Sequence, residues 1–200
     1  MKMNLPNRLS VIRLFMVPAF VIVLMASDAV WASIAGIALF VTASITDFLD
    51  GQIARKYHLV TDFGKFLDPL ADKFMVIGAL FVILYRSLTD PTPDVLFSNV
   101  FFWTFLIVIF RELAVTSIRL VVSSSSGIVV AANMLGKVKT CAQIACVVCC
   151  LAEPVIRRET GKGTDFLPFS LATTGLMLIF TLWSGITYLA SYWKHMDPEK

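Results

Sequence analysis

The sequence predicts an all-α integral membrane protein with six transmembrane helices and an N-terminal amphipathic interfacial helix. Two observations favour this class. First, 58% of the 200 residues are apolar and only 16% are charged, whereas soluble domains have about 25% charged residues. Second, six long apolar runs follow one another, separated by short polar segments. A soluble domain cannot cover so much apolar surface, so residues 1–200 are predicted to form a single membrane domain.

The N-terminal segment, residues 1–13, places three basic side chains among apolar ones, and Pro6 with Asn7 indicates a helix start. This pattern is typical of a helix that lies in the membrane interface. A signal peptide is the alternative, with residues 14–25 as its apolar core. The poor cleavage site that follows, and the further spans, disfavour that alternative.

Each of the apolar runs is close to the length of about 20 residues that a membrane-spanning helix needs. They cover residues 11–25, 31–53, 67–85, 96–122, 129–152 and 166–193. Because the number of runs is even, both termini are expected on the same side of the membrane.

Lys and Arg are distributed unevenly between the two sides. The loops predicted opposite the termini, residues 26–30, 86–95 and 153–165, hold four basic and six acidic residues. The rest of the chain holds 13 basic and 8 acidic residues. Since basic residues accumulate on the cytoplasmic side, both termini and the polar segment at 54–66 are predicted to be cytoplasmic.

Two kinds of partner are not indicated by the composition. The net charge of +3 is too small and too scattered to predict nucleic-acid binding. The four cysteines lie between Cys141 and Cys150 within one apolar run. There they behave as small apolar residues, and they predict neither a disulfide nor a zinc site.

Two carboxylates and two very small residues share one face of the second predicted helix. Their spacing is i, i+3, i+4 and i+7, which returns to the same side of an α-helix. The four residues are Asp47, Asp50, Gly51 and Ala54.

A matching face opens the third predicted helix, where Gly64, Asp68 and Asp72 follow at i, i+4 and i+8. Two adjacent antiparallel helices could therefore direct four carboxylates at one another near the cytoplasmic surface. The acidic residues gather at one membrane face and do not line a path across it.

Four neighbouring carboxylates in a membrane protein need positive charge. Each one costs about 2.5–3.5 kcal/mol at mid-membrane, and neighbouring carboxylates repel one another. A pair of divalent cations removes both problems, and oxygen ligands without His or Cys favour Mg²⁺ or Mn²⁺ over zinc. A structural ion-pair network with Arg55 and Lys73 is the alternative, which the two matching faces and their small residues disfavour.

Mg²⁺ in proteins usually binds together with the phosphates of a substrate. Three small residues, Gly51, Ala54 and Gly64, are predicted positions where a bulky phosphorylated ligand approaches the backbone closely. Arg55 offers a forked donor for a phosphate oxygen.

The whole stretch resembles the signature of the CDP-alcohol phosphotransferase family. All eight signature residues are present at the expected spacing: Asp47-x2-Asp50-Gly51-x2-Ala54-Arg55-x8-Gly64-x3-Asp68-x3-Asp72.

Outside the signature, the chain resembles the branch of this family that makes phosphatidylglycerophosphate. Its opening is similar to that of the branch, with Ser10 where Thr is more usual. The motifs that carry the resemblance are Pro6-Asn7-x2-Ser10-x2-Arg13, Arg111-Glu112-x3-Thr116-x2-Arg119 and Leu135-Gly136-Lys137-x-Lys139-Thr140.

The resemblance implies a six-helix membrane fold, usually homodimeric, with a two-metal site open to the cytoplasm, most often in a bacterial plasma membrane. Members of the family transfer a substituted phosphate from a CDP-alcohol to an acceptor hydroxyl and release CMP. In this branch the donor is CDP-diacylglycerol and the acceptor is sn-glycerol 3-phosphate.

The resemblance also implies roles for individual residues. The metal ligands are Asp47, Asp50 and Asp68, with Asp72 at the edge of that shell and also the general base. The groups that bind the CDP donor are Asn7, Asp50, Gly51, Ala54, Arg55 and Gly64. The candidate partners of the acceptor phosphate, which needs cations, are Arg111, Arg119, Lys137 and Lys139.

Three alternatives stay open at this point. A cardiolipin or phosphatidylserine synthase of the same family would keep the Asp signature and use another acceptor. A membrane prenyltransferase also binds a diphosphate through Asp pairs and Mg²⁺, although the glycines and the Ala54-Arg55 pair are not typical of it. A cation transporter lined by Asp is a different class, which the gathering of the acids at one membrane face disfavours.

Overall fold

The computed structural model describes residues 4–57, 61–126 and 134–193, and within these it is all-helical, as predicted. Six helices follow the six apolar runs. They are α1 (Leu5–Ala26), α2 (Val30–Lys56), α3 (Asp62–Thr89), α4 (Val95–Ser126), α5 (Met134–Glu159) and α6 (Pro168–Trp193).

Five of the described helices, all except α3, are long and apolar enough to cross a membrane. The chain is therefore a multi-pass membrane protein. α3 is 28 residues long, but Asp68, Asp72 and Lys73 lie close together in its first half. The prediction of exactly six spans is not confirmed by the apolar character of the helices alone.

The first helix is continuous from Leu5 to Ala26, so a separate interfacial helix is not found in the described part of the N-terminal segment. The Asn4 side chain caps its start by accepting a hydrogen bond from the Asn7 backbone N–H at 3.1 Å. Of the three basic residues that predicted a surface helix, Arg13 is buried against neighbouring helices, Arg8 is exposed and Lys2 lies outside the described residues. Asn7 and Ser10 are buried on the same face as Arg13. Their polarity reflects contacts within the protein and not contact with lipid headgroups.

α1 packs along both α2 and α3, and two glycines allow the close approach. A Cβ at Gly36 of α2 would lie 2.7 Å from the Leu24 side chain, and a Cβ at Gly78 of α3 would lie 3.0 Å from Val17. Small residues at such crossings let membrane helices pack backbone to backbone. α1 therefore joins the two helices that carry the aspartates.

Buried acidic side chains join the helices of the second half of the chain, α4 to α6. They lie at the end of the bundle far from the predicted metal ligands of α2 and α3. Asp94 accepts hydrogen bonds from the backbone N–H groups of Phe97 at 2.9 Å and Leu167 at 2.7 Å. Glu153 accepts from the backbone N–H and hydroxyl of Ser170, both at 2.6 Å. These carboxylates satisfy N–H groups at helix starts that have no partner inside the helix.

The loop predicted at 153–165 is shorter in the structure. α5 continues to Glu159 because Glu153 faces inward to cap α6, and Pro154 is accommodated within the helix. Gly161 and Gly163, at φ of +68° and +67°, form the turn that follows.

Candidate active site

The polar face of α1 lies against the aspartates of α2 and α3. Asn7, Ser10 and Arg13 follow at intervals of three residues, so they share one face of the helix. The Ser10 hydroxyl donates a hydrogen bond to Asp68 at 2.6 Å. Arg13 donates through Nη1 to Asp47 and through Nη2 to Asp50.

Arg13 is fully buried, with 0% of its side chain exposed. Its forked guanidinium therefore neutralises part of the charge of Asp47, which is partly exposed, and of Asp50, which is buried. The remaining donor, Nε, has no hydrogen-bond partner among the described residues. The pairing shows that the two carboxylates of α2 together bind a cation.

The four predicted aspartates are neighbours in space. Asp50 and Asp68 both interact electrostatically with Asp47, and so does Asp72. The cluster formed by these four residues is called the carboxylate cluster below. The structure places the four predicted metal ligands in one region of α2 and α3, and Arg13 and Ser10 of α1 contact three of them.

The chemistry of the carboxylate cluster fits Mg²⁺ or Mn²⁺, because carboxylate oxygens are hard ligands. Among the described residues, no three acidic, histidine or cysteine side chains are close enough together to count as a metal-binding group. Metal binding at the cluster therefore stays a prediction.

The predicted donor-binding residues lie around the same cluster. A Cβ at Gly64 would lie 2.9 Å from Asn7 Oδ1 and 3.3 Å from Thr61 Oγ1. Asn7 in turn donates to the Thr61 hydroxyl at 2.9 Å, and that hydroxyl caps α3 by accepting from the Gly64 N–H at 3.0 Å. The lack of a side chain at Gly64 thus makes room for Asn7 of α1. The family resemblance assigns both residues to the donor site, but no pattern in the sequence indicates that they contact each other.

Three more predicted donor residues lie on the last turns of α2. The Gly51 backbone N–H donates to the Asp50 carboxylate. Ala54 and Arg55 belong to the helix, but their side chains lie outside the part of the structure that is described, so their predicted contacts with a phosphorylated ligand stay predictions.

Beside the carboxylate cluster lies a second feature, a cavity of about 240 Å³ between α3, α4, α5 and α6. Asp72 forms part of its wall. All four predicted partners of an acceptor phosphate line it as well: Arg111, Arg119, Lys137 and Lys139. This cationic cavity brings together residues that are 28 positions apart in the sequence.

Two of these cations are held by Glu112. Its Oε1 accepts from Lys139 Nζ and from Arg111 Nη1, the latter at 3.2 Å. Arg111 also donates to the Ser184 hydroxyl at 3.0 Å, and a Cβ at Gly185 would lie 3.1 Å from its Cγ. Arg111 is therefore fixed between α4 and α6.

The other two cations are more open. Arg119 is exposed and donates to the Tyr188 hydroxyl at 2.9 Å, with its guanidinium carbon 5.4 Å from the centre of the ring. Lys137 is exposed too, and it has no hydrogen bond or ion pair with any other described residue.

Several residues of the site were not predicted to belong to it. Ser10 and Arg13 belong to a motif of the family branch, and their spacing from Asn7 on one helical face was a signal that could have predicted them. Glu112 belongs to the second motif, beside Arg111, and the sequence alone predicts no role for it. Ser184 and Tyr188 had no signal in the sequence, because their position depends on how α6 packs against α4.

Comparisons with known proteins agree with this geometry. The chain matches the family model for CDP-alcohol phosphatidyltransferase over residues 3–187. It is 38% identical over 207 residues to a CDP-diacylglycerol–glycerol-3-phosphate 3-phosphatidyltransferase of Bacillus subtilis (strain 168), which covers 98% of each chain. A Rickettsia bellii protein of the same name is 40% identical over 116 residues, 58% of each chain. A cardiolipin synthase (CMP-forming) of Oryza sativa subsp. japonica is 32% identical over 204 residues, 96% of this chain and 58% of the rice protein.

Proposed function

The chain belongs to the CDP-alcohol phosphatidyltransferase family, and on that premise we propose that it transfers the phosphatidyl group from CDP-diacylglycerol to sn-glycerol 3-phosphate, releasing CMP. The observation that carries the proposal is the cationic cavity, whose wall includes Asp72 of the carboxylate cluster. A phosphate-bearing acceptor in this cavity lies beside the carboxylates that serve the donor.

The carboxylate cluster is the proposed place of the CDP donor. Asp47, Asp50 and Asp68 would hold Mg²⁺ or Mn²⁺, with Asp72 at the edge. When bound, such cations neutralise the charge that develops on the leaving CMP. Arg13 and Ser10 keep three of the carboxylates in register with one another.

Asp72 is the proposed general base. Its carboxylate takes the proton of the acceptor hydroxyl as the oxygen forms a bond to phosphorus and the bond from phosphorus to the CMP oxygen breaks. Support comes from its position, since it is near Asp47 of the cluster and also forms part of the wall of the cationic cavity.

The acceptor phosphate is proposed to bind in the cationic cavity. The residues that line it carry five cations and two carboxylates, so a phosphate monoester finds an excess of positive charge there. An acceptor without a free phosphate would leave the excess of positive charge in the cavity without a counter-charge, which disfavours acceptors of that kind. One relative, from rice, is named a cardiolipin synthase. Transfer to a different acceptor is therefore the alternative to the proposed reaction.

Orientation and assembly are proposed from the charge distribution and the family resemblance. The uneven distribution of Lys and Arg places both termini and the carboxylate cluster on the cytoplasmic side, where a soluble acceptor is available. The bacterial relatives favour a plasma membrane. A homodimer is proposed from the family resemblance alone.

The experiment that tests the function measures CMP release by the purified protein with CDP-diacylglycerol, Mg²⁺ and one acceptor at a time. We expect release with glycerol 3-phosphate and none with serine, inositol or phosphatidylglycerol. Parallel reactions with EDTA test the proposed metal, and an Asp68→Asn variant purified in the same way controls for contaminating activity. Release with a different acceptor only, or with none, contradicts the proposal.

A further inference from the structure

We propose that Glu112 is a positioning residue whose carboxylate holds Lys139 and Arg111 on the wall of the cationic cavity. Lys137 and Arg119 are then the cations that bind the acceptor phosphate directly. The inference rests on the proposed function, because it assigns roles within the cavity where the acceptor is proposed to bind.

Glu112 and Lys139 are a buried ion pair. Only 7% of Glu112 and 8% of Lys139 is exposed, and Lys139 Nζ donates to Glu112 Oε1. A single charge buried in a helical membrane protein is strongly unfavourable, so each group depends on the other. The ammonium of Lys139 is therefore held by Glu112 and is not free to follow a ligand.

Arg111 is fixed in a similar way. One terminal nitrogen donates to Glu112 at 3.2 Å and the other to the Ser184 hydroxyl at 3.0 Å. Its aliphatic stem lies over Gly185, where a Cβ would come within 3.1 Å. The guanidinium is held at both ends, which suits a wall of fixed positive charge better than a mobile ligand.

Lys137 and Arg119 differ in both respects. Both are exposed, and neither forms an ion pair with a described residue. Arg119 has Tyr188 as a neutral partner, which orients the guanidinium without neutralising it. These two cations can pair with a phosphate without first breaking an existing ion pair.

The variant Glu112→Gln separates a positioning role from a purely electrostatic one. Removing a negative charge from the cavity strengthens its attraction for phosphate, so loss of charge alone lowers the KM for glycerol 3-phosphate. Loss of positioning raises that KM. We expect a rise of about tenfold, because Lys139 and Arg111 are then no longer held on the wall beside the phosphate, with the KM for CDP-diacylglycerol nearly unchanged.

A double variant tests whether Glu112 acts through Lys139. If it does, Glu112→Gln/Lys139→Gln raises the KM for glycerol 3-phosphate no more than the worse single variant. If the two effects multiply, the residues act independently and the proposal is overturned. An unchanged or lower KM for Glu112→Gln overturns it as well.

Glu153→Gln is a matched control for a merely structural effect. Glu153 is 6% exposed and also accepts two short hydrogen bonds, but at the far end of the molecule. We expect this variant to lower the Tm and to leave both KM values as in the wild type. A tenfold rise in KM for this control would show that any loss of a buried glutamate produces the effect.

Binding of inorganic phosphate, measured as the rise in Tm that phosphate causes, tests Glu112 without turnover. We expect a smaller rise for Glu112→Gln than for the wild type and for Glu153→Gln; equal rises overturn the positioning role. A wild type that binds phosphate but releases no CMP with glycerol 3-phosphate contradicts the proposed function and leaves the assignment of Glu112 standing.

Discussion

The two ends of the helical bundle both bury charged residues, but the residues have different partners. At the end formed by the starts of α2, α4 and α6, Asp94 and Glu153 accept hydrogen bonds from backbone N–H groups. Arg158 pairs with Asp90 at 2.6 Å, and each of these groups serves to join helices. At the other end, the carboxylate cluster has more negative than positive side chains, and the cationic cavity has more positive than negative ones.

The excess is visible in both parts of the proposed active site. Arg13 is one cation shared by Asp47 and Asp50, and Glu112 is one carboxylate shared by Lys139 and Arg111. Since buried charge without full compensation destabilises a protein, its presence at this end supports the proposal that substrate and cations complete the balance there. Asp94 and Glu153 at the far end, in contrast, have their hydrogen-bond partners within the protein, so their role is to join helices.

The largest expected difference between the ends is in turnover. Asp72→Asn removes the proposed base, whose contribution is about 10²–10⁴-fold, and we expect CMP release to fall by that amount. Asp94→Asn, the same change at the far end, should lower the Tm while the turnover of the folded protein stays near the wild-type value. CMP release by Asp72→Asn at more than about a tenth of the wild-type rate would argue against its role as base.

The next largest effect concerns stability. Arg13→Gln leaves the buried Asp50 and the partly exposed Asp47 without their cation, and breaking a buried pair such as Arg13–Asp50 costs about 3–5 kcal/mol. Arg86→Gln removes a similar pair at the far end, but its partner Asp28 is 72% exposed, so about 1 kcal/mol or less is expected. Thermal unfolding in detergent measures both.

The Arg13 variant also tests the proposed metal ligands. With the guanidinium gone, Mn²⁺ should raise the Tm of Arg13→Gln more than that of the wild type, because the carboxylates then have no other cation. Mn²⁺ should affect Arg86→Gln and the wild type equally. If Mn²⁺ leaves the Tm of Arg13→Gln unchanged, Asp47 and Asp50 are not metal ligands.

Much of this comparison was accessible from the sequence, but unevenly. Apolar runs predicted the helices because a bilayer demands length and apolar character, which are local properties. Asp47 and Asp50, and likewise Asp68 and Asp72, were predicted to share faces because helical periodicity fixes spacing within one helix. Three of these four aspartates contact α1. No local pattern in the sequence predicted that α1 is the helix that packs between α2 and α3.

The prediction of a separate interfacial helix shows where local patterns mislead. Polar residues in an otherwise apolar N-terminal segment fit two environments, the lipid headgroups and the interior of a polar site. Ser10 and Arg13 are buried against Asp68 and the α2 aspartates, which depends on packing between helices. Pairings such as that of Arg119 with Tyr188, which are 69 positions apart, cannot be predicted from local sequence patterns for the same reason.

A moderate effect is expected for the exposed cation of the acceptor cavity. Lys137→Ala should raise the KM for glycerol 3-phosphate by about tenfold, the loss of one charge-assisted contact, and leave the Tm unchanged because Lys137 packs against little. Lys162→Ala removes an exposed lysine at the far end and should leave that KM as it is. Equal rises in the two variants would mean that overall charge, and not position, draws the acceptor.

The smallest effects distinguish two glycines that tolerate a side chain poorly for different reasons. Gly163→Ala, at the far end, places a side chain at φ of +67° and its Cβ 2.9 Å from Oδ1 of the exposed Asp165, a side chain that can move away. The backbone strain should cost about 1–2 kcal/mol of stability without changing KM or kcat. Gly64→Ala has no such backbone strain, but its Cβ would lie 2.9 Å from Asn7 Oδ1. Because that oxygen belongs to the contact that fixes α1 on the start of α3, the change should shift Asn7 and Ser10, and with them Asp68.

For Gly64→Ala we therefore expect a modest loss of stability together with a rise in the KM for CDP-diacylglycerol. Kinetic assays and thermal unfolding of the two variants in parallel measure this, and a Gly64→Ala protein with normal donor kinetics would place the donor away from the α1–α3 contact.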